Sequence, residues 1–422
     1  MDPAPLEGDA MKIITILFVG ILIADTHASP QVHRTPYGGV LRTDRRVDVA
    51  VSSENSAAFQ DYQRPTVIVV IGAAGTEEYE AQFAKCARLW EEACSKGDAK
   101  FVSIGLDEVE GSNDHTKLRK TLAGESQQTT AALWLVLIGH GTFDGRTAKF
   151  NLRGPDISAD DLAKWLMPLR RPIAVINTAS SSAPFLSKLS AQGRVVITAT
   201  KSGYEQNYTR FGQYLAGAIA EPQADLDKDG QTSLLEAFLT ASGRVDEFYS
   251  AAGRLITEHA LLDDNADGLG TRADWFRGIR PVRKAEDSAS LDGYRAHQLH
   301  LVYSEAESKM LPSLRAQRDR LELEVIMLRD SKEKFSEDEY FSKLEALLYD
   351  IAQIYEQTDK AENRSNLVPD LIAFVEAPSQ PHVPFLCRAI RPPHDVLHQS
   401  FSGGPFPVLF LFFCGPRRLR TL

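Results

Sequence analysis

The chain has 422 residues, 43% of them hydrophobic and 25% charged, with a formal net charge of −10 and a pI near 5.6. That length holds one sizeable α/β domain and further material. The acidic balance excludes a nucleic-acid partner, because phosphate binding needs a basic surface.

At the start, the apolar run Met11–Ile23 stands behind a single lysine and is followed by a small-residue stretch, Ala24–Ala28. The run is too short to span a bilayer comfortably, so residues 1–28 read as a secretory signal peptide, with a mature start near 29 and Met11 as an alternative start. The expectation is an exported protein, periplasmic or extracellular, with no membrane contact after cleavage. Residues 29–64 are polar and without period, a mature N-terminal arm. From Thr66 strands and helices alternate. Thr66–Gly72 is a β-branched strand, and Glu77–Lys96 a helix with an apolar stripe through Phe83, Ala87 and Trp90. Lys100–Gly105 is a second strand, followed by a helix around His115–Ala123. The run from Ala132 ends a third strand at His140, and Ser158–Leu169 is a helix opened by a serine and two aspartates. Ile173–Asn177, a helix over Phe185–Ala191, the strand Arg194–Thr200 and a helix over Phe211–Ala220 complete the pattern. Such alternation predicts an open, mostly parallel sheet with helices on both faces.

Beyond it lie two acidic loops separated by a helix predicted over Gly243–Ala260. Leu311, Leu314, Leu321, Val325 and Leu328 then recur at three- and four-residue spacing, interrupted by Arg318. A second amphipathic helix, Tyr340–Glu356, carries Phe341, Leu344, Leu348, Ile351 and Tyr355. Two antiparallel helices that pack on a partner or self-associate are expected here. The chain thus divides into an α/β domain over 65–280, an α-helical region over 281–375, and an irregular tail over 376–422 rich in proline, glycine and aromatics. Of the four cysteines, Cys387 and Cys414 fall in that tail. Cys86 and Cys94 share one helix roughly 12 Å apart, too far to bond to each other.

Chemistry concentrates at two strand ends. The third strand finishes on Gly139-His140-Gly141, and the fourth runs into Thr178, Ala179 and the serines Ser180, Ser181 and Ser182. A parallel crossover brings these ends together at the carboxyl edge of the sheet, where ligands bind. With the strand Val195–Glu205, these segments resemble, in order and spacing, the legumain-type branch of the caspase-like cysteine peptidases, over less than half of the chain. The resemblance implies a caspase/legumain-like sheet in which a cysteine attacks the peptide carbonyl. His140 would then protonate the leaving amine, and the Gly141 amide would stabilise the oxyanion. Ala179 stands where that cysteine belongs, so the nucleophile is missing. Ser202 and Glu205 fall near the family's substrate-binding wall and are pocket candidates. The expectation is a catalytically degenerate pseudo-peptidase that binds a peptide or protein. A competing reading takes Ser180 as nucleophile and His140 as base, with Asp144 as the one nearby carboxylate to orient it.

The acidic loops add a metal. Asp225, Asp227, Asp229, Gln231, Ser233 and Glu236 match the twelve-residue calcium loop position by position, with Gly230 at the sharp turn. Asp263, Asn265, Asp267 and Asp274 match it less well, because Asp274 is short for a bidentate contact. Structural Ca2+ is expected, and a third reading makes the protein a calcium-dependent interaction module built on an EF-hand pair.

Overall fold

A computed structural model describes residues 64–375, apart from 107–112, 126–128 and 287–289, with side chains up to Lys360. The signal-peptide and arm assignments, and the tail beyond 375, lie outside the described residues.

A seven-stranded sheet carries the fold, in the order β10-β9-β8-β7-β3-β1-β2. Its first five strands by sequence are parallel: β1 (Thr66–Ile71), β2 (Lys100–Ile104), β3 (Leu133–Ile138), β7 (Ile173–Asn177) and β8 (Arg194–Thr198). β9 (Leu261–Asp263) runs antiparallel to β8, and β10 (Thr271–Arg272) antiparallel to β9. β1 and β3 read as uninterrupted apolar runs because both faces are covered. Val67, Val69, Trp134 and Val136 point into one core with Phe83, Ala87 and Trp90 of α1 (Glu77–Lys96). Ile68, Val70, Leu133 and Leu135 point into the other, which includes Leu118 of α2 (Asp114–Gly124), Leu162 of α3 (Ala159–Leu166) and Phe185 of α4 (Ala183–Leu189). The mostly parallel sheet with helices on both faces is therefore present.

The chain goes from β1 outward to β2 and returns to β3 on the other side of β1. The order thus reverses between β1 and β3, and a crevice opens outside their carboxyl ends. His140 leaves the sheet there. It leads into a small three-stranded sheet of β4 (Gly141–Phe143), β5 (Ala148–Phe150) and β6 (Ile157–Ser158), whose short strands give no readable period.

After α5 (Phe211–Ala218) the helix predicted over Gly243–Ala260 is α6, and it spans Leu234–Ala251 instead. Ser233 caps it, and Glu236 bonds back in a complete capping box, which starts the helix nine residues earlier than expected. Gly243 is carried within it, and Gly253 in a left-handed conformation follows its end. The hairpin β11 (Phe276–Arg277) and β12 (Arg280–Pro281), then the short helices α7 (Tyr294–Gln298) and α8 (Glu305–Lys309), lead to two long helices, α9 (Pro312–Asp330) and α10 (Glu337–Val375). Leu321 packs on Ile351 and Ile354, and Lys332 at the turn sits over Tyr340, so α9 and α10 form the expected antiparallel pair. Arg318, which breaks the apolar spacing, is buried in an ion cluster with Glu307 and Asp319. Among the described residues no helix is long and apolar enough to cross a membrane.

Candidate functional site

The strand ends do meet. The backbone of Gly141 lies so close to the serine turn that a Cβ on it would stand 2.1 Å from the Ser180 carbonyl oxygen, so only glycine fits there. The Gly141 amide donates to Ser180 Oγ at 3.3 Å, and that hydroxyl donates to the Gly141 carbonyl at 3.2 Å. The amide that the resemblance assigns to an oxyanion thus already holds a side chain of the protein itself.

Most of the rest of the turn is tied down, although the buried Ser181 hydroxyl and Asn177 Nδ2 have no hydrogen-bond partner. Thr178 bonds to Leu137 through both its amide and its hydroxyl, and the Ala179 amide donates to Asn177 Oδ1 at 3.1 Å. Ser181, with a left-handed φ of 54°, donates its amide to the Glu205 carbonyl at 2.8 Å. Ser182 Oγ accepts from the Ala199 amide and pairs with the Thr200 hydroxyl. Ala179 is 1% exposed and Ser180 3%.

His140 is close by in the fold but chemically separate. Its Nε2 lies 3.3 Å from the Ala74 carbonyl oxygen. A carbonyl only accepts, so that nitrogen carries the proton and offers no lone pair. The ring is walled by Tyr79, Phe83 and Tyr208, with centroids at 4.6, 5.3 and 6.3 Å. No hydrogen bond joins it to Ser180, and Asp144 spends its carboxylate on the amides of Arg146 and Thr147 in its own turn. Those two amides hold the Asp144 carboxyl below its usual range. The Ala74 carbonyl orients the ring and leaves the lone pair on Nδ1, but Ser180 Oγ is bonded to Gly141 and not to that nitrogen, so the pair lacks the nucleophile-to-base contact of a working triad.

Ser202 and Glu205 do border the turn. Glu205 Oε1 sits 2.6 Å from His259 Nδ1, and its other oxygen accepts from the Lys201 amide. Ser202 Oγ accepts from the Tyr204 amide. Tyr204, 73% exposed, leans edge-on against Phe143 at 5.2 Å, so the rim presents an aromatic ledge above a filled site. Sequence reading passed over His259, Tyr79 and Tyr208. All three reach the site from elsewhere in the chain, and no spacing rule marks them.

No protein-family model and no curated protein matches the chain. Among solved structures it is similar to the Drosophila initiator caspase Dronc, at 14% identity over 55% of this chain and 93% of that one, with a TM-score of 0.32. It is also similar to caspase-1 from Spodoptera frugiperda, at 10% identity over 48% and 87%, with a TM-score of 0.34. A protein from Geobacter sulfurreducens aligns at 10% identity over 43% and 89%, with a TM-score of 0.30.

The two acidic loops share one backbone design. In the first, Asp225 accepts from the amides of Lys228 and Gly230, Asp227 from Asp229, and Asp229 from Gln231. Lys228 and Gly230 take positive φ, and ligand oxygens of Asp225, Asp227 and Asp229 lie within 4.8 Å of one another. In the second, Asp263 accepts from Ala266 and Gly268, Asn265 from Asp267, and Asp267 from Leu269, with positive φ at Ala266 and Gly268. The oxygens of the first loop fit a calcium ion in type and convergence, and those of the second in type.

The closing carboxylates differ. Glu236 Oε1 accepts from the amides of Leu226 and Asp227, and its Oε2 from the Ser233 hydroxyl. In the second loop the same three positions, the amides of Asp264 and Asn265 and the hydroxyl of Thr271, all donate to Asp292. Asp274 points away, half exposed and paired with Arg272 at 2.9 Å. Asp292, not Asp274, is the structural counterpart of Glu236. A twelve-residue frame has no means of finding it.

Proposed function

We propose that this chain is an exported, catalytically silent caspase-like domain that binds a peptide or protein along its rim and is stiffened by calcium. The observation that carries the reading is the occupied Gly141 amide beside Ala179: the position of attack holds a methyl group, and the oxyanion donor is spent on Ser180. Peptide contact falls to the exposed edge of β4, Tyr204 and Ser202 rather than to a deep pocket. Export rests on the Met11–Ile23 run. The experiment is hydrolysis of peptides with Asn, Asp, Arg or Lys at the cleavage position, with and without calcium. No turnover is expected from the wild type, Ser180→Ala or His140→Ala. Cleavage by the wild type that vanishes in Ser180→Ala would refute the reading and install the serine as nucleophile.

Calcium enters as a proposal on the shared loop geometry. Asp225, Asp227, Asp229 and Glu236 would hold one ion, with the Gln231 backbone carbonyl and Ser233 completing its shell, and Asp263, Asn265, Asp267 and Asp292 a second. Ligand present at about 100 times its dissociation constant stabilises by about 2.7 kcal/mol. At roughly 2–4 °C per kcal/mol, millimolar calcium should raise Tm by several degrees over chelator, two occupied sites more than one. Asp225→Ala should remove the first site's share. An unchanged melting curve in calcium would end the proposal. A large calcium-induced gain in dye-accessible apolar surface would favour the EF-hand interaction module instead.

A further inference from the structure

The hairpin β11–β12 concentrates positive charge on a chain whose net charge is −10. The stretch Trp275–Ala285 holds Arg277, Arg280, Arg283 and Lys284 and no carboxylate, and all four cations are exposed. Phe276 and Pro281 form one cross-strand pair, and Arg277 and Arg280 the next. Side chains alternate across a strand. Pro281 is buried and Phe276 packs against the core, which anchors the hairpin, while both arginines stand on its outer face. Like charges directly opposite one another destabilise a hairpin, yet the tight turn at Gly278, with φ 58°, sets them so. Arg283 lies over the Trp275 ring, 5.3 Å from its centroid, and the edge of its guanidinium keeps its donors. Among the described residues none of the four has an ion pair, and the carboxylates of Asp274 and Asp330 go to Arg272 and Arg329.

We propose that this hairpin binds a sulfated polysaccharide, a narrow linear polyanion laid across its outer face. Short runs rich in arginine and lysine are the electrostatic footprint of such polymers. Width decides against the alternatives. A bilayer or a nucleic-acid duplex presents a broad anionic surface, which the rest of this acidic chain repels. Charges more than about 8 Å away are screened at physiological salt, so a narrow polymer feels the hairpin alone. A single-stranded nucleic acid needs open aromatic faces for its bases, and the face of Trp275 is taken by Arg283. Three of the four cations are arginines, whose weakly hydrated forks donate two parallel hydrogen bonds to an oxyanion. A sulfate ester offers that geometry and keeps its charge at every working pH. It also relieves the opposed Arg277–Arg280 pair, which the fold itself leaves uncompensated.

Fluorescence anisotropy of a labelled heparin fragment titrated with the full chain tests this, at about 0.15 M NaCl and in chelator, so that calcium plays no part. A Kd on the order of 10 µM is expected. Arg277→Gln combined with Arg280→Gln should raise Kd about tenfold and flatten the dependence of log Kd on log salt by about 2, one for each cation lost. Its Tm should not fall, because the opposed charges are gone. Arg119→Gln combined with Lys120→Gln, at an exposed basic pair on α2, should change neither Kd nor slope. Absence of heparin binding by the wild type overturns the proposal, as does an equal loss in the α2 variant. Polyglutamate bound as tightly as heparin would replace the sulfated polymer by an acidic peptide and overturn it too. So would tighter binding to vesicles of phosphatidylglycerol and phosphatidylcholine, which would make the hairpin a membrane contact.

Discussion

Asp292→Asn is expected to stabilise the protein without calcium and to weaken it with calcium. Asp292 and Asp264 are both buried. Asp292 takes amide and hydroxyl hydrogen bonds across the second loop, while Asp264 accepts from Gly293 and Ala296 at the start of α7. Burial first, and then the Asp264 charge, push the Asp292 carboxyl up to about 8. Its unfolded value is about 3.9, so between those limits the metal-free native state holds a proton that the unfolded chain has released. Stability from this group is complete below about pH 4 and declines as pH rises toward 8. Asparagine keeps the acceptor for Asp264 N and Asn265 N and removes the repulsion. In chelator at pH 8 the variant should therefore gain about 1–3 kcal/mol, and the slope from pH 5 to 8 should flatten. In millimolar calcium it should lose the second site's part of the Tm rise, because a charged ligand is gone. Asp274→Asn, at an exposed pair, should stay within about 0.5 kcal/mol in both conditions. If thermal melts give these behaviours to Asp274 and not to Asp292, the assignment of the closing carboxylate is wrong.

These loops also mark where sequence reading stopped. β1 and β3 are legible because their apolar runs occupy six consecutive buried positions, and α1 because Phe83, Ala87 and Trp90 form one regular stripe, to which the structure adds a cap at Thr76. The start of α6 was missed for a specific reason. Ser233 and Glu236 are both a capping box and the ninth and twelfth positions of the calcium loop, and the second reading obscured the first. Gly243 then looked like a boundary, although a helix tolerates one exposed glycine at a cost of about 1 kcal/mol. At the strand ends, the approach of His140 to the serine turn followed from parallel topology. The direction of the Ser180 hydroxyl did not, since a one-residue shift along a turn with a left-handed Ser181 is a matter of backbone torsion. Glu205 was singled out by resemblance alone, whereas its partner His259 stands fifty-four positions away and carries no local signature.

That partner belongs to a pair of adjacent residues on which the site's far wall depends. His259 holds Glu205, and the neighbouring Glu258, 2% exposed, sends its carboxylate to the N-terminus of α5. It accepts there from the amides of Arg210 and Phe211, and it also receives the Tyr249 hydroxyl. The amides at a helix start have no intrahelical partner, and here they are buried. Glu258→Ala would strand them without water and leave a void beside Phe211. The expected cost is about 3–5 kcal/mol, or a Tm lower by roughly 10 °C for a domain of this size. Glu258→Gln keeps one acceptor oxygen and the volume, so its cost should be about half as large. Burial raises the Glu258 carboxyl, which narrows the difference between the neutral amide and the native side chain at acidic pH. His259→Ala should cost less than Glu258→Ala, because its ring is partly exposed, yet it should free the Glu205 wall. Hydrogen exchange at the Ser181 amide, which donates to the Glu205 carbonyl, reads that release directly. Faster exchange there in His259→Ala, with global stability nearly intact, is the expected outcome. Unchanged exchange would mean that Glu205 is held by Lys201 and the turn alone.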